Sequence, residues 1–185
     1  MQRYYPSLQA IEQQTMQLDH AQCTHCQQAH QLVSHGFIRK KRVGAEPEAV
    51  GKRVFCSNRQ RHTGCGRTMR LYLDSAVRWL HYTGAQVVAF MLALMAGGTV
   101  QQAYGQATGK ADPRHAYRWL HRLGAQLSCY RSLAHRPPLQ DAGVPPAGNP
   151  PGRRRLLAST FHLLLQRFGP PLCANYQRHI QQSFL

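Results

Sequence analysis

The chain has 185 residues, 43% of them hydrophobic, and sets 23 Lys+Arg against 7 Asp+Glu for a formal net charge of +16. That length suits one domain or two small ones, and the hydrophobic fraction allows a core. Only 16% of residues are charged, so the basic excess arises from missing acids; such an imbalance repels itself unless a polyanion neutralises it, and nucleic acid is the first candidate.

The carboxylates Glu12, Asp19, Glu46, Glu48, Asp74, Asp112 and Asp141 are scattered, and no two fall at i, i+3 or i+4. A metal-dependent nuclease or complete transposase core needs several converging carboxylates, so no catalytic centre of that kind is expected. No run of 18 apolar residues predicts a membrane span. The opening stretch MQRYYPSLQAIEQQ lacks the apolar core of a signal peptide. A cytoplasmic, nucleoid-associated protein of a prokaryote is expected, with no membrane partner. Six cysteines without a secretion signal then favour metal over disulfides. The basic residues are 19 Arg and 4 Lys, and the guanidinium fork suits phosphate and guanine.

Residues 1–20 form a Gln-rich, mildly amphipathic N-terminal segment. Residues 21–74 hold the C-x-x-C knuckle Cys23-Thr24-His25-Cys26, then Cys56 and Cys65 thirty residues on, with strand-like runs at 31–43, 51–55 and 68–73. Two knuckles at strand turns can place the thiolates of Cys23, Cys26, Cys56 and Cys65 around one Zn2+. Four Cys ligands leave no open position for water, so this zinc is expected to be structural. Gly66 beside Cys65 suits a tight turn. The second pair is wide, with eight intervening residues. His25 and His62 stand as rival ligands, though solvated loop histidines are the preferred reading. The segment predicts a small three-stranded zinc ribbon. Its Arg39, Lys40, Lys41, Arg42, Arg53, Arg59, Arg61 and Arg67 outnumber the interspersed Glu46 and Glu48 and are expected to meet DNA.

Residues 75–135 predict an all-α helix-turn-helix domain. Asp74 or Ser75 can cap a helix from Ala76, and a core helix is expected over 85–96. Thr99 can cap a short helix over 100–106; a turn at Gly109 follows. Asp112 caps a further helix with Pro113 at its first position, running toward Leu133. Ala116, Trp119, Leu120 and Leu123 share its inner face. A third helix of this kind enters the major groove. Lys110, Arg114, His115, Tyr117, Arg118 and Arg122 are the expected contacts, with Arg114 reading a base and the others nearer phosphate. Trp79 and Trp119 are expected in the core.

Residues 136–155 hold six of the eleven prolines and read as a Pro-rich linker closing with Arg153-Arg154-Arg155. Residues 156–185 are a C-terminal helix, over 156–168, and a polar tail. Leu156, Leu157, Phe161, Leu164, Leu165 and Phe168 form a stripe that either packs back on the helical domain or serves self-association or a partner transposase subunit. Cys129 and Cys173 are expected as buried small hydrophobes.

The run CTHC followed by VFCSN…GCGRTM resembles the pattern C-x-x-C…C-x-N-x-x-C-G-x-T-[hydrophobic]. That pattern is found in Ogr/Delta-type phage activators and in zinc-ribbon segments of insertion-sequence transposases. Cys23, Cys26, Cys56, Asn58, Cys65, Gly66 and Thr68 match it, while the spacing from Asn58 to Cys65 departs from it. The stretch ALMAGGTVQQAYGQATGKADPRHAYRWLHRL is similar to the helix-turn-helix after such ribbons in transposon-encoded DNA-binding proteins. The resemblance covers roughly residues 21–125 and implies binding of transposon ends or an operator.

The expected protein is thus α+β, a zinc ribbon followed by a helix-turn-helix. It would bind double-stranded DNA for a mobile element, without catalysis of its own. Two other classes stand beside it. One is an RNA-binding or transcription-associated ribbon, though the ribbon lacks paired exposed aromatics. The other is a catalytic transposase or recombinase, for which Tyr176, Arg178 and His179 offer only a fragment of a site.

Overall fold

A computed structural model describes residues 2–41, 46–77, 81–134 and 152–185. Among the described residues the chain is mixed α+β, with one four-stranded sheet and seven α-helices. It divides into two compact units: Met1–His81 with Tyr176–Phe184, and Tyr82–Asn175 with Leu185.

The first unit contains β1 (Gln2–Tyr5), α1 (Leu8–Met16), a 3-10 turn (Leu18–His20), β2 (Leu32–Lys40), β3 (Glu48–Cys56) and β4 (Thr68–Leu73). The strand order is β1-β4-β3-β2; β2–β3 and β3–β4 are antiparallel, and β1 joins β4 in parallel. A three-stranded ribbon was expected, and the fourth strand comes from the Gln-rich segment. Four residues, two of them polar, carry no readable alternation; Tyr4 becomes 2% exposed because β4 supplies Tyr72 beside it, with ring centroids 6.0 Å apart. Ser7 caps α1, its hydroxyl accepting from Ala10 N at 3.1 Å.

The pleat puts alternate side chains of β3 on opposite faces. Val54 and Cys56 turn toward α1 and join Ile11, Leu18, Cys23, Leu32 and Leu71 in one core. Burying each large aliphatic side chain there contributes about 1.5–3 kcal/mol. Arg53 faces the other way, in register with Arg70. Gly51 is required by close approach, since a Cβ there would stand 2.1 Å from the carbonyl oxygen of Leu71.

The end of the chain completes this unit. Gln177 Nε2 donates to the carbonyls of Asp74, at 2.5 Å, and Ala76, at 3.2 Å, and its Oε1 accepts from Phe184 N at 3.0 Å. The rings of Tyr176 and Phe184 meet edge to face at 5.3 Å. The polar tail expected here contains a helix, α7 (Leu172–Ile180).

The second unit contains α2 (Gly84–Met95), α3 (Val100–Thr108), α4 (Arg114–Ala125), α5 (Leu127–Ala134) and α6 (Arg153–Phe168). The expected helix does not start at Ala76: residues 76–77 are irregular, and residues 78–80, with Trp79, lie outside the described residues. The first helix of this unit instead starts at the capping box of Thr83 with Gln86, and α3 at that of Thr99 with Gln102. Gly109, at φ +70, closes α3 in the left-handed conformation that glycine tolerates. The helix expected to reach Leu133 breaks at Gln126, whose φ and ψ of −93 and 2 leave the helical range.

The core of this unit is aromatic. Trp119 is 0% exposed, with ring centroids 4.9 Å from Tyr82, 5.4 Å from Phe90 and 5.5 Å from Tyr104. The edge-to-face geometry of each pair is the favoured one. Phe161 and Leu164 of α6 are buried, and α6 packs on α5 and α2. Residues 136–151 of the expected linker lie outside the described residues, while its closing Arg153–Arg155 open α6.

Candidate functional site

The Sγ atoms of Cys23, Cys26, Cys56 and Cys65 all lie within 4.8 Å of one another, an arrangement that can hold a metal ion. Cys23 and Cys65 are 3.8 Å apart, and Cys26 and Cys56 are 3.7 Å apart, so each short pair joins one knuckle to the other. Cys23 and Cys56 are fully buried, Cys26 is half-buried and Cys65 is exposed.

Each knuckle is shaped by backbone hydrogen bonds. In the first, Cys23 N donates to Gln28 O at 2.9 Å, Gln27 N donates to Cys23 O at 2.8 Å, and His25 N points at Cys23 Sγ from 3.4 Å. In the second, Cys56 N donates to Arg67 O at 2.9 Å, Gly66 N donates to Cys56 O at 3.0 Å, and Cys65 N reaches Cys56 Sγ at 3.3 Å. Gly66 has a φ of +71, as its place in the tight turn suggested.

The eight-residue gap closes at its base. Gly64 N donates to Ser57 O at 2.7 Å, which brings Cys65 back beside Cys56 and leaves 58–63 as an outward loop. Gln31 secures that loop twice: its carbonyl accepts from Ser57 N at 2.7 Å and its Oε1 from Thr63 N at 2.8 Å. A Cβ on Gly64 would lie 2.3 Å from Ser57 O and 2.5 Å from Cys56 Sγ, so only glycine fits. Sequence reasoning missed Gly64 and Gln31. The Gly64-Cys65-Gly66 triplet was the available signal for the first; nothing local marks the second.

Neither rival histidine belongs to the cluster among the described residues. His25 Nδ1 is hydrogen-bonded with Arg67 Nη1 at 3.0 Å, which ties the two knuckles together from outside.

Burial pushes the Cys56 thiol up to about 12, and the thiols of Cys23, Cys26 and Cys65 add to the effect. Burial also raises Cys23, but the backbone N–H groups of Cys26 and His25, with the thiols of Cys56 and Cys26, outweigh it and bring the group down to about 7. The Cys23 sulfur thus collects donors from both knuckles, which favours its thiolate.

The basic residues of this unit are distributed around the centre and the sheet. Arg39, Lys41, Arg53, Arg59, Arg61 and Arg67 are exposed. Arg59 and Arg61 ride the loop that closes at Gly64, and Arg67 is beside the first knuckle. Lys40 is half-buried, its ammonium donating to Val77 O. Arg42 lies outside the described residues.

In the second unit, Arg114, Tyr117, Arg118 and His121 are exposed at i, i+3, i+4 and i+7 of α4, while Ala116, Trp119 and Leu123 are buried on its opposite side. His121 was not among the expected contacts; the helical spacing that placed its neighbours also places it. His115 and Arg122 are half-buried. The His115 ring packs on Tyr82 with centroids 5.6 Å apart, and Lys110 Nζ stands 5.0 Å from the Tyr82 centroid. Cys173 is buried, which drives its thiol upward, and donates to Gly84 O at 3.5 Å. Cys129 is exposed, contrary to expectation, because it lies on the outer side of α5.

Among the described residues no helix is long and apolar enough to cross a membrane. Compared with protein-family models, curated proteins and solved structures, the chain matches none.

Proposed function

We propose that this protein binds double-stranded DNA through the outward face of α4 and the basic surface around the cysteine centre, as a non-catalytic DNA-binding protein of a mobile element. The reading rests chiefly on the stripe Arg114, Tyr117, Arg118 and His121. It is basic and aromatic, and it is backed by a buried Trp119 that fixes the helix. A helix presented in this way is wide enough to fill a major groove.

The metal in this reading is zinc, and its role is structural. A tetrahedral zinc with Zn–S bonds of about 2.3 Å separates its sulfurs by about 3.8 Å, which agrees with the 3.8 Å and 3.7 Å between the paired thiols. Four thiolates complete the shell, so the ion holds two knuckles together and leaves no position for substrate. Arg59, Arg61 and Arg67 surround that centre and supply phosphate contacts.

Fluorescence anisotropy with a labelled duplex, titrated at stepped salt, tests the proposal. Affinity should fall steeply as salt rises, because each neutralised phosphate releases counterions. A flat salt response overturns DNA binding. Stronger capture by structured RNA at matched salt moves the reading to an RNA-binding ribbon. Strand transfer or nicking with a divalent cation overturns the non-catalytic assignment.

A further inference from the structure

Arg114 opens α4, and Asp112 precedes it by two residues. The Asp112 carboxylate is used twice. Oδ1 accepts the backbone N–H of Arg114 at 3.1 Å, and Oδ2 accepts from Arg114 Nε at 2.7 Å. Because Oδ1 is anchored on the helix backbone, Oδ2 is a fixed point for the guanidinium. Nε is thereby spent, and both terminal nitrogens of Arg114 make no hydrogen bond or ion pair with any described residue. The Arg114 side chain is 83% exposed.

An exposed ion pair of this kind adds little stability. Its physical consequence is orientation: a planar fork that has lost its freedom to turn. A fork held by Nε presents two parallel N–H donors at its far end. Duplex DNA offers two kinds of acceptor for them, phosphate and the guanine edge. A carboxylate bonded to the same guanidinium repels phosphate, whereas the O6 and N7 atoms of guanine are uncharged acceptors at matching spacing. The first residue of a major-groove helix is also the one that reaches base edges.

We propose that Asp112 is a positioning residue that presents the Arg114 fork to the major-groove edge of a guanine, lowering general phosphate affinity in exchange for base selectivity. The inference rests on the DNA-binding reading of α4. It makes Asp112 oppose total affinity while promoting discrimination, a combination that a purely structural cap would not produce.

The experiment uses the full chain and duplexes selected from a randomised pool. Each guanine of the selected site is then replaced in turn by 7-deazaguanine, which lacks the N7 acceptor. Wild type should lose affinity at one position, by less than the about 5- to 150-fold discrimination of a full bidentate contact because O6 remains. Asp112→Asn keeps an oxygen for the cap but no charge for Nε. It should bind non-selected duplex as tightly as wild type or more tightly, and lose most of the discrimination at that position. Arg114→Ala should lose the same discrimination with weaker binding overall. Thermal melting of each variant confirms folding. Full discrimination in either variant overturns the proposal, as does an equal loss by Asp112→Asn on every duplex, which marks a cap alone. If wild type binds no duplex, the DNA reading itself falls; if it binds but selects no guanine opposite Arg114, only this inference falls.

Discussion

The side-chain amide of Gln181 embraces the backbone of Tyr4: its Oε1 accepts from Tyr4 N at 2.8 Å and its Nε2 donates to Tyr4 O at 3.1 Å. A residue 177 positions away thus satisfies the outer edge of β1 as a neighbouring strand would. An unpaired strand edge is a site for aggregation, and this amide closes part of it.

Replacing Gln181 with Ala should therefore weaken the first unit. Two hydrogen bonds at about 0.5–1.5 kcal/mol each set the scale, a loss of about 1–3 kcal/mol. Deleting 176–185 should cost more, since it also removes the Gln177 bonds to Asp74 and Ala76. Urea unfolding followed by circular dichroism measures both, and equal stability of the truncated chain would refute the assignment of the C-terminal residues to this unit.

Metal content gives a second prediction. The purified chain should carry one zinc, and Cys56→Ser should lose it together with the fold of the first unit, because a buried hydroxyl replaces a buried ligand. Acidification should release the ion as protons displace it from thiolates, and a chelator at neutral pH should do the same. Elemental analysis across pH checks this; a stoichiometry unchanged in Cys56→Ser would exclude the four-cysteine centre.

Gly64→Ala should abolish metal binding although it removes no ligand. The added methyl meets a carbonyl oxygen and a ligand sulfur, and the first is backbone that cannot yield without opening the Ser57–Gly64 bond. Gly152→Ala, where a Cβ meets nothing within 4 Å, serves as the control and should leave zinc content unchanged.

Arg118→Ala should lower affinity evenly across duplex sequences and reduce the slope of log K against log salt by about one. Arg122→Ala, on a half-buried position of the same helix, should change the slope less. Anisotropy titrations at four salt concentrations separate the two, and identical slopes would remove the outward face of α4 from the binding surface.

Much of the candidate site was readable along the chain because its signals are short-range. The four cysteines, Gly66, the Gly109 turn and the spacing of Ala116, Trp119 and Leu123 each depend on residues a few positions apart. So does the Thr99 cap, whereas the helix expected with Asp112 as its cap and Pro113 at its first position begins one residue later, at Arg114, with Pro113 as its N-cap. Helix ends were harder: the Thr83–Gln86 capping box won over a start at Ala76, because it satisfies two backbone donors at once. The eight-residue gap of the second pair was opaque for another reason. Its geometry depends on Gln31, which precedes β2, the strand neighbouring β3, and holds the loop at Ser57 and Thr63.

Composition and local pattern were thus enough to specify a basic α+β chain with a four-cysteine cluster and an amphipathic, Arg-bearing helix, since charge, ligand type and helical period are properties of neighbouring residues. The fourth strand, the helix in the tail and the closure of β1 by Gln181 have no such local mark. Each depends on a polar backbone edge or an aromatic ring finding a partner far along the chain, from Tyr4 beside Tyr72 to Gln181 beside Tyr4, and only folding in three dimensions brings those partners together.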